Sequence, residues 1–302
     1  MPTLSDIAIC LRAWEYSETS QTVRLLMREH GGIRGLAKGS RRDRGNFSGG
    51  FQPLTRGHLV TIVKPGRDLA ILTEWRLLEI FPGIHHRLLG NRLGTLAVDL
   101  TGRLLTDGDP HPEIFDALLA FVRDLEQPGL EWGGLLRFQW TLLSETGFLP
   151  RLGVDVATDD ALPEARLGPG PGAGLGPGSG AELGPGLGPG SGIEPGLGPG
   201  PGRDAATPTG DPDRLWFVPE AGGFTRHQPS TEAWRVRSET LRRLIALDAA
   251  MQAEEPPPPV ADHAAAPGLI RANRLLSAYV QHLVGGELAT LGWAYPDPRA
   301  SG

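Results

Sequence analysis

The sequence predicts an α+β protein: a small five-stranded barrel at the N-terminus, then a mainly helical remainder carrying a Gly/Pro-rich insert. Three observations predict it. The first 80 residues hold five β-compatible apolar runs separated by turn signals. After Pro82 the apolar spacing becomes helical. Residues 167–202 repeat the unit LGPG and hold much of the chain's 43 Gly and 28 Pro.

The strands come in order. Leu4–Trp14 is apolar and β-compatible, and Thr19–Glu29 follows, with a spacing that would also suit a short helix. Gly31-Gly32 supplies the positive φ angles of a tight hairpin before a returning strand at Ile33–Arg41. Gly57–Lys64 and Leu69–Glu79 flank the turn signal Pro65-Gly66-Arg67-Asp68. Five strands with little helix suit closure, because a barrel leaves no exposed edge.

Helices are expected at Leu88–Leu105, at Pro110–Gln127 and at Leu130–Thr146, the last ending at Gly147. The second carries Ile114, Leu118, Phe121, Val122 and Leu125 on one face. These three should pack together and against the barrel. The LGPG stretch has too little apolar surface to offset ordering entropy, and its glycines do not fall at every third position, which excludes collagen. It is expected to be a disordered tether. Leu215–Phe224 reads as a hairpin around Ala221-Gly222-Gly223. Pro229–Met251 reads as a helix capped by Ser230, Glu254–Pro259 as a polar break, and Pro267–Leu283 as the last helix, with a frayed tail after Pro296. The domain organisation is therefore 1–82 barrel, 83–163 helical, 164–213 tether and 214–296 a second helical part with a short hairpin.

Charge is unevenly distributed. The whole chain carries −6, yet residues 1–80 hold 12 Lys and Arg against 8 Asp and Glu. A basic N-terminal module on an acidic remainder fits a local anion-binding face. The one cysteine, Cys10, lies in an apolar run and reads as a small buried hydrophobe; it allows neither an intramolecular disulfide nor a cysteine-based zinc site. The N-terminus lacks a secretory pattern and no run approaches a membrane span, so a cytoplasmic protein is expected.

The segment Ile33–Phe47 (IRGLAKGSRRDRGNF) carries the chemistry. Arg34, Lys38, Arg41, Arg42 and Arg44 fall within a few residues, opposed by Asp43. Guanidinium forks match phosphate oxygens, and Gly35, Gly39 and Gly45 would let backbone N–H groups approach a ligand. Phe47 and Phe51 flank the run as candidate base-stacking rings. Lys64 and Arg67, in the following turn, complete the candidate DNA contacts. Five neutralised phosphates would give a single-strand salt slope of about −3.5.

Other chemistry is weakly signalled. There is no Walker-type loop, HExxH or GxSxG. His85-His86 are adjacent, and Asp99, Asp107 and Asp109 read as helix-surface and turn residues. Asp159-Asp160 reads as solvated. Trp132, Trp140, Trp234 and Trp293 read as core or interface residues in helical segments. No enzyme and no cofactor is expected. An adaptor whose basic groove grips an acidic peptide is the alternative to a DNA-binding protein.

The order of pieces resembles the bacterial recombination mediator RecO family. The resemblance rests on Trp14–Arg42 (with Tyr16, Glu18, Ser20, Glu29-His30-Gly31 and Ala37-Lys38-Gly39), on Phe47, Gly49-Gly50, Phe51 and Pro53, and on LLEIFPGI at Leu77–Ile84. Leu135–Pro150, ending in GFLP, and Tyr279–Leu291 are similar to the family's helical domain. The resemblance implies an OB-fold followed by helices, and binding of single- and double-stranded DNA. It implies annealing of complementary strands and help in loading a recombinase onto strands coated by single-strand-binding protein. That protein and RecR would be the partners, and the site of action the nucleoid. Many members carry a four-cysteine zinc site after GFLP; here Thr225, Arg226 and His227 stand where cysteines would fall.

Overall fold

The computed structural model describes residues 2–42, 45–47, 50–64, 66–166, 213–253 and 266–295. Of the expected tether at 164–213, residues 167–212 lie outside these, as do the Pro-rich break and the tail after Pro296, while residues 164–166 are helical. Contacts divide the chain into two units, Met1–Gly147 with Val280–Gly302, and Phe148–Tyr279.

Alternating apolar residues in the first 80 positions build a closed barrel from β1 (Thr3–Ser17), β2 (Ser20–Met27), β3 (Gly31–Ala37), β4 (Arg56–Ile62) and β5 (Ala70–Glu79). Around the ring the order is β1-β2-β3-β5-β4. β1 is long enough to serve two neighbours: Thr3–Ile9 pair with β4, and Ala8–Ser17 pair with β2. A register shift between Cys10 and Arg12 bends the strand where it changes partner. β3 and β5 run parallel and close the ring. Inside lie Ala8, Cys10, Val23, Leu25, Met27, Leu59, Leu72 and Trp75.

The turn between β2 and β3 corrects the expected hairpin. Its residues are Arg28, Glu29 and His30, and Gly31 and Gly32 belong to the strand. Gly31 alone has positive φ, at 72°. A Cβ there would also stand 2.1 Å from the carbonyl oxygen of Asp109, so glycine is required twice over. The Asp6 carboxylate fastens this turn, accepting from the Glu29 N–H at 2.9 Å and lying 2.8 Å from Nδ1 of His30.

The helices follow as α1 (Pro82–His86), α2 (Leu88–Leu104), α3 (Pro112–Asp124) and α4 (Glu131–Glu145). α3 packs on α4, and α2 packs on α4 and on β1. Arg123 of α3 grips Glu79 of β5 through two hydrogen bonds of 3.0 and 2.9 Å, and Arg56 adds a third at 2.9 Å. Together they hold the Glu79 carboxyl below its ordinary range, with Arg123 the largest cause.

In the second unit, β6 (Arg151–Asp155), a short α5 (Pro163–Arg166), β7 (Arg214–Val218), β8 (Gly223–Thr225) and β9 (Trp234–Arg237) precede α6 (Ser238–Met251) and α7 (Ala266–Val284). The strands form one sheet in the order β6-β8-β7-β9. Phe217 centres the packing, with Phe224 and Tyr279 edge-on at 5.1 Å each and Trp234 stacked at 5.7 Å. The β7–β8 hairpin falls where expected. Residues 229–237 do not form the expected helix: β9 pairs with β7, and α6 begins only at Ser238. The Ser238 hydroxyl there bonds Asp213. Trp234 is accordingly a strand residue. A further helix, α8 (Ala289–Ala294), lies against α2 in the first unit, with Trp293 exposed.

Candidate nucleic-acid interface

β3 ends at Ala37 and the chain enters a turn at Lys38–Ser40. Lys38, Arg41 and Arg42 are exposed on it, so three of the expected cations come together at one end of the barrel. The turn is fastened from below. The Gly39 N–H donates to the Ser20 hydroxyl at 3.1 Å and the Arg41 N–H to the Thr19 carbonyl at 3.1 Å. Gln21 is the buried clamp. Its Oε1 accepts from the Ser40 hydroxyl and from the Phe51 N–H at 3.0 Å each, and its Nε2 donates to the Phe51 carbonyl at 3.1 Å. One side chain thus fixes both ends of the basic segment, which holds the exposed cations on a rigid base.

Arg41 pairs with Glu15 at 2.7 Å, but Glu15 is exposed. Such a surface pair contributes at most about 1 kcal/mol, so a phosphate can replace it.

The remaining expected residues are placed differently. Arg34 lies on the outer face of β3, directly across from Arg24 of β2, which is in turn across from Arg12 of β1. Asp107 sits over this row, 3.0 Å from Nη2 of Arg24 and 2.8 Å from Nε of Arg34. Arg24 also donates to the carbonyls of Gly102 and Leu105, tying the end of α2 to the barrel. Arg44 lies outside the described residues. Lys64, half-buried, and Arg67, exposed, sit in the β4–β5 turn, closed by the Arg67 N–H to the Lys64 carbonyl at 3.2 Å. The parallel register of β3 and β5 sets that turn on the side of the first half of β3, away from Lys38–Arg42.

Two expectations are corrected. Phe47 and Phe51 do not face outward: they are buried, 5.8 Å from each other, with Phe51 4.8 Å from Trp75. Three large rings at one end of the barrel exclude water better than they would offer a base a free face. Gly35 does not open the backbone to a ligand; a Cβ there would meet Leu72 at 2.5 Å, so glycine lets β3 and β5 close the ring. Asp99 is also more than a helix-surface residue. Its carboxylate accepts from Thr290 at 2.9 Å and lies 3.4 Å from Arg103.

Sequence reasoning did not single out Gln21, Arg12 or Trp14 as candidate site residues. The signal for the last two was present: Arg12, Trp14 and Tyr16 alternate along β1, and all three are exposed.

A closed five-stranded barrel followed by helices defines an OB-fold protein with an appended helical region. Comparison with known families places it more closely. Residues 1–81 match the model of the recombination protein O N-terminal domain, and residues 86–191 match that of its C-terminal domain. The chain is 33% identical over 165 residues to the DNA repair protein RecO of Anaeromyxobacter sp. (strain Fw109-5), covering 54% of this chain and 64% of that one. It is 36% identical over 144 residues to the RecO of Rhodopirellula baltica, covering 48% of this chain and 53% of that one. The chain belongs to the RecO family. Its matches span between about half and two thirds of these relatives' length.

The zinc site of many members does not fit here. Among the described residues no three His, Cys, Asp or Glu gather as metal ligands. At the β6–β8 edge the Asp155 carboxylate is fully engaged, accepting from the N–H groups of Ala157 and Arg226 at 2.9 Å each. The Arg226 guanidinium pairs with the buried Glu164, and the Thr225 hydroxyl accepts from the His227 N–H at 3.0 Å. A permanent cation in the donor set repels a divalent ion. Burial raises the Asp155 carboxyl, but the Arg226 N–H, the Thr225 hydroxyl and the Ala157 N–H outweigh it and hold it below its usual range.

Proposed function

We propose that this chain is a DNA repair and recombination mediator that binds single- and double-stranded DNA through the basic turn Lys38–Arg42. In this reading it anneals complementary strands and helps load a recombinase onto strands coated by single-strand-binding protein. RecR and that coating protein are its partners, the cytoplasmic nucleoid is its place of work, and it catalyses no covalent step. The observation that carries the reading is the clamped turn: Gln21, Ser20 and Thr19 hold Lys38, Arg41 and Arg42 exposed at the barrel end. A turn backbone held in advance lowers the ordering entropy lost when its cations meet phosphate. Family membership supports the same function.

The test is fluorescence anisotropy of a labelled single strand across a salt series, comparing the intact chain with the triple variant Arg41→Ala, Arg42→Ala, Arg44→Ala. Circular dichroism checks that the variant folds. Three lost phosphate contacts should flatten the slope by about 2. Equal slopes would remove the turn as the DNA site. An acidic peptide that binds the turn while DNA does not would favour an adaptor.

A further inference from the structure

Outside the basic turn, the first unit has a groove of about 220 Å³ between the outer face of β1 and β2 and the flank of α2, lined among others by Arg12, Trp14, Arg24, Asp99 and Arg103. Its charge is net positive. Trp14 is 45% exposed, unusual for so large an apolar ring. Its cross-strand neighbour on β2 is the small Thr22, which cannot cover it. The Arg12 guanidinium lies 5.7 Å from the centre of the ring. Of the three arginines, Arg24 is committed to the end of α2 and to Asp107, whereas Arg12 and Arg103 are exposed, Arg103 in a loose 3.4 Å pair with Asp99 that a phosphate can replace.

We infer that this groove receives unpaired nucleotides, with Trp14 as a stacking platform for a base and Arg12 and Arg103 as contacts for the flanking phosphates, and that it would favour single over double strands. The inference rests on the DNA-binding reading of the turn and extends it. The argument is one of complementary chemistry. An open indole ring beside two exposed guanidiniums offers a π-face and two anion sites, which is what one nucleotide with its phosphates fills. A duplex keeps its bases paired and stacked and has no free base face to give, so it can use the arginines but not the ring. The groove and the turn are joined only through the strand: Glu15, the partner of Arg41, is the residue after Trp14 and points to the opposite face of β1, as its cross-strand pair with the buried Gln21 shows. The bound base takes the place of Arg12 on the ring and leaves that guanidinium to the phosphate.

The experiment measures anisotropy with a labelled oligothymidine and with a duplex of equal length, at one low salt concentration. The proteins are the intact chain, Trp14→Ala, Trp14→Phe, Arg103→Ala and the triple arginine variant of the turn. Trp14→Ala is expected to weaken single-strand binding by about fivefold or more while duplex binding changes by less than about twofold. Trp14→Phe should keep most of the single-strand affinity, and Arg103→Ala should weaken both ligands. Thermal melting checks each variant, and an exposed Trp14 leaves little reason for unfolding. Equal losses on both ligands, or no loss for Trp14→Ala, would overturn the inference while leaving the turn's role intact. An intact chain that binds no single strand at all would overturn both readings, and the intact protein alone reports that case.

Discussion

Arg34 and Arg24 stand opposite one another across β2 and β3, and a single carboxylate, Asp107, bonds both guanidiniums at 2.8 and 3.0 Å. Like charges on facing strands repel, and one buffered anion relieves the pair. Asp107 therefore lowers the effective charge of the barrel's outer face while it fixes the geometry. The substitution Asp107→Asn is expected to strengthen single-strand binding and to steepen its salt slope by about 0.7 for each arginine released to phosphate. Anisotropy across a salt series reads this directly, and an unchanged slope would mean that neither arginine reaches DNA.

Gly31 should tolerate no side chain. In Gly31→Ala the methyl would meet the Asp109 backbone at 2.1 Å, and φ of 72° is unfavourable for alanine. Backbone against backbone has no flexible partner to yield, so a loss of about 2–4 kcal/mol is expected. Urea unfolding would show it as a lower midpoint.

The second unit should be indifferent to chelators. Prolonged EDTA treatment is expected to leave its melting temperature unchanged, whereas Asp155→Asn should cost about 1–3 kcal/mol by putting an amide donor against N–H groups. A chelator-induced drop in melting temperature, or zinc found in the purified protein, would contradict the bonding around Asp155.

Acid should weaken both units. Asp155 and Glu79 have folded values held below their ordinary range, by backbone N–H groups with Thr225 and by Arg123 with Arg56 respectively. Their stabilising contributions are present above the unfolded carboxyl range, near pH 4, and vanish as pH falls through the lower folded values. Asp124 runs the other way: burial raises it despite Arg137, so protonation relieves a cost and partly offsets the loss. Melting curves at stepwise lower pH should show a net fall that Glu79→Gln reduces.

Cys10 should be silent to thiol reagents in the folded chain. It is fully buried, and burial pushes its thiol far above the ordinary range. Labelling by a chromogenic disulfide reagent is expected only in denaturant, which makes Cys10 a reporter of barrel opening.

Strand and helix positions in the barrel half were legible because each rests on a local period that survives folding, as in Pro112–Asp124 with its apolar face. The edge strands β6 and β9 were not. They are short, and their identity comes from distant partners: Arg151 meets Gly223 across the long insert, and Trp234 meets Phe217. Pattern alone made Trp234 look helical. At the site, charge showed where the cations gather, and composition could not show which were already spent. Phe47 sits in a Gly-rich segment that reads as exposed, yet the Trp75 N–H bonds the Asn46 carbonyl at 2.9 Å and draws the ring inward. Gln21 looked like any polar strand residue until Ser40 and Phe51 were seen converging on it.

The ring is completed by three residue pairs between parallel strands, Gly35 to Ala37 against Ala70 to Leu72, where every other joint is antiparallel and longer. With only three pairs it is the shortest joint of the ring, so it is expected to open more readily than the others. The basic turn starts at the very next residue, Lys38. A polyanion that gripped that turn would hold this short joint shut, so amide hydrogens of β3 and β5 should exchange with solvent more slowly in the bound chain than in the free one.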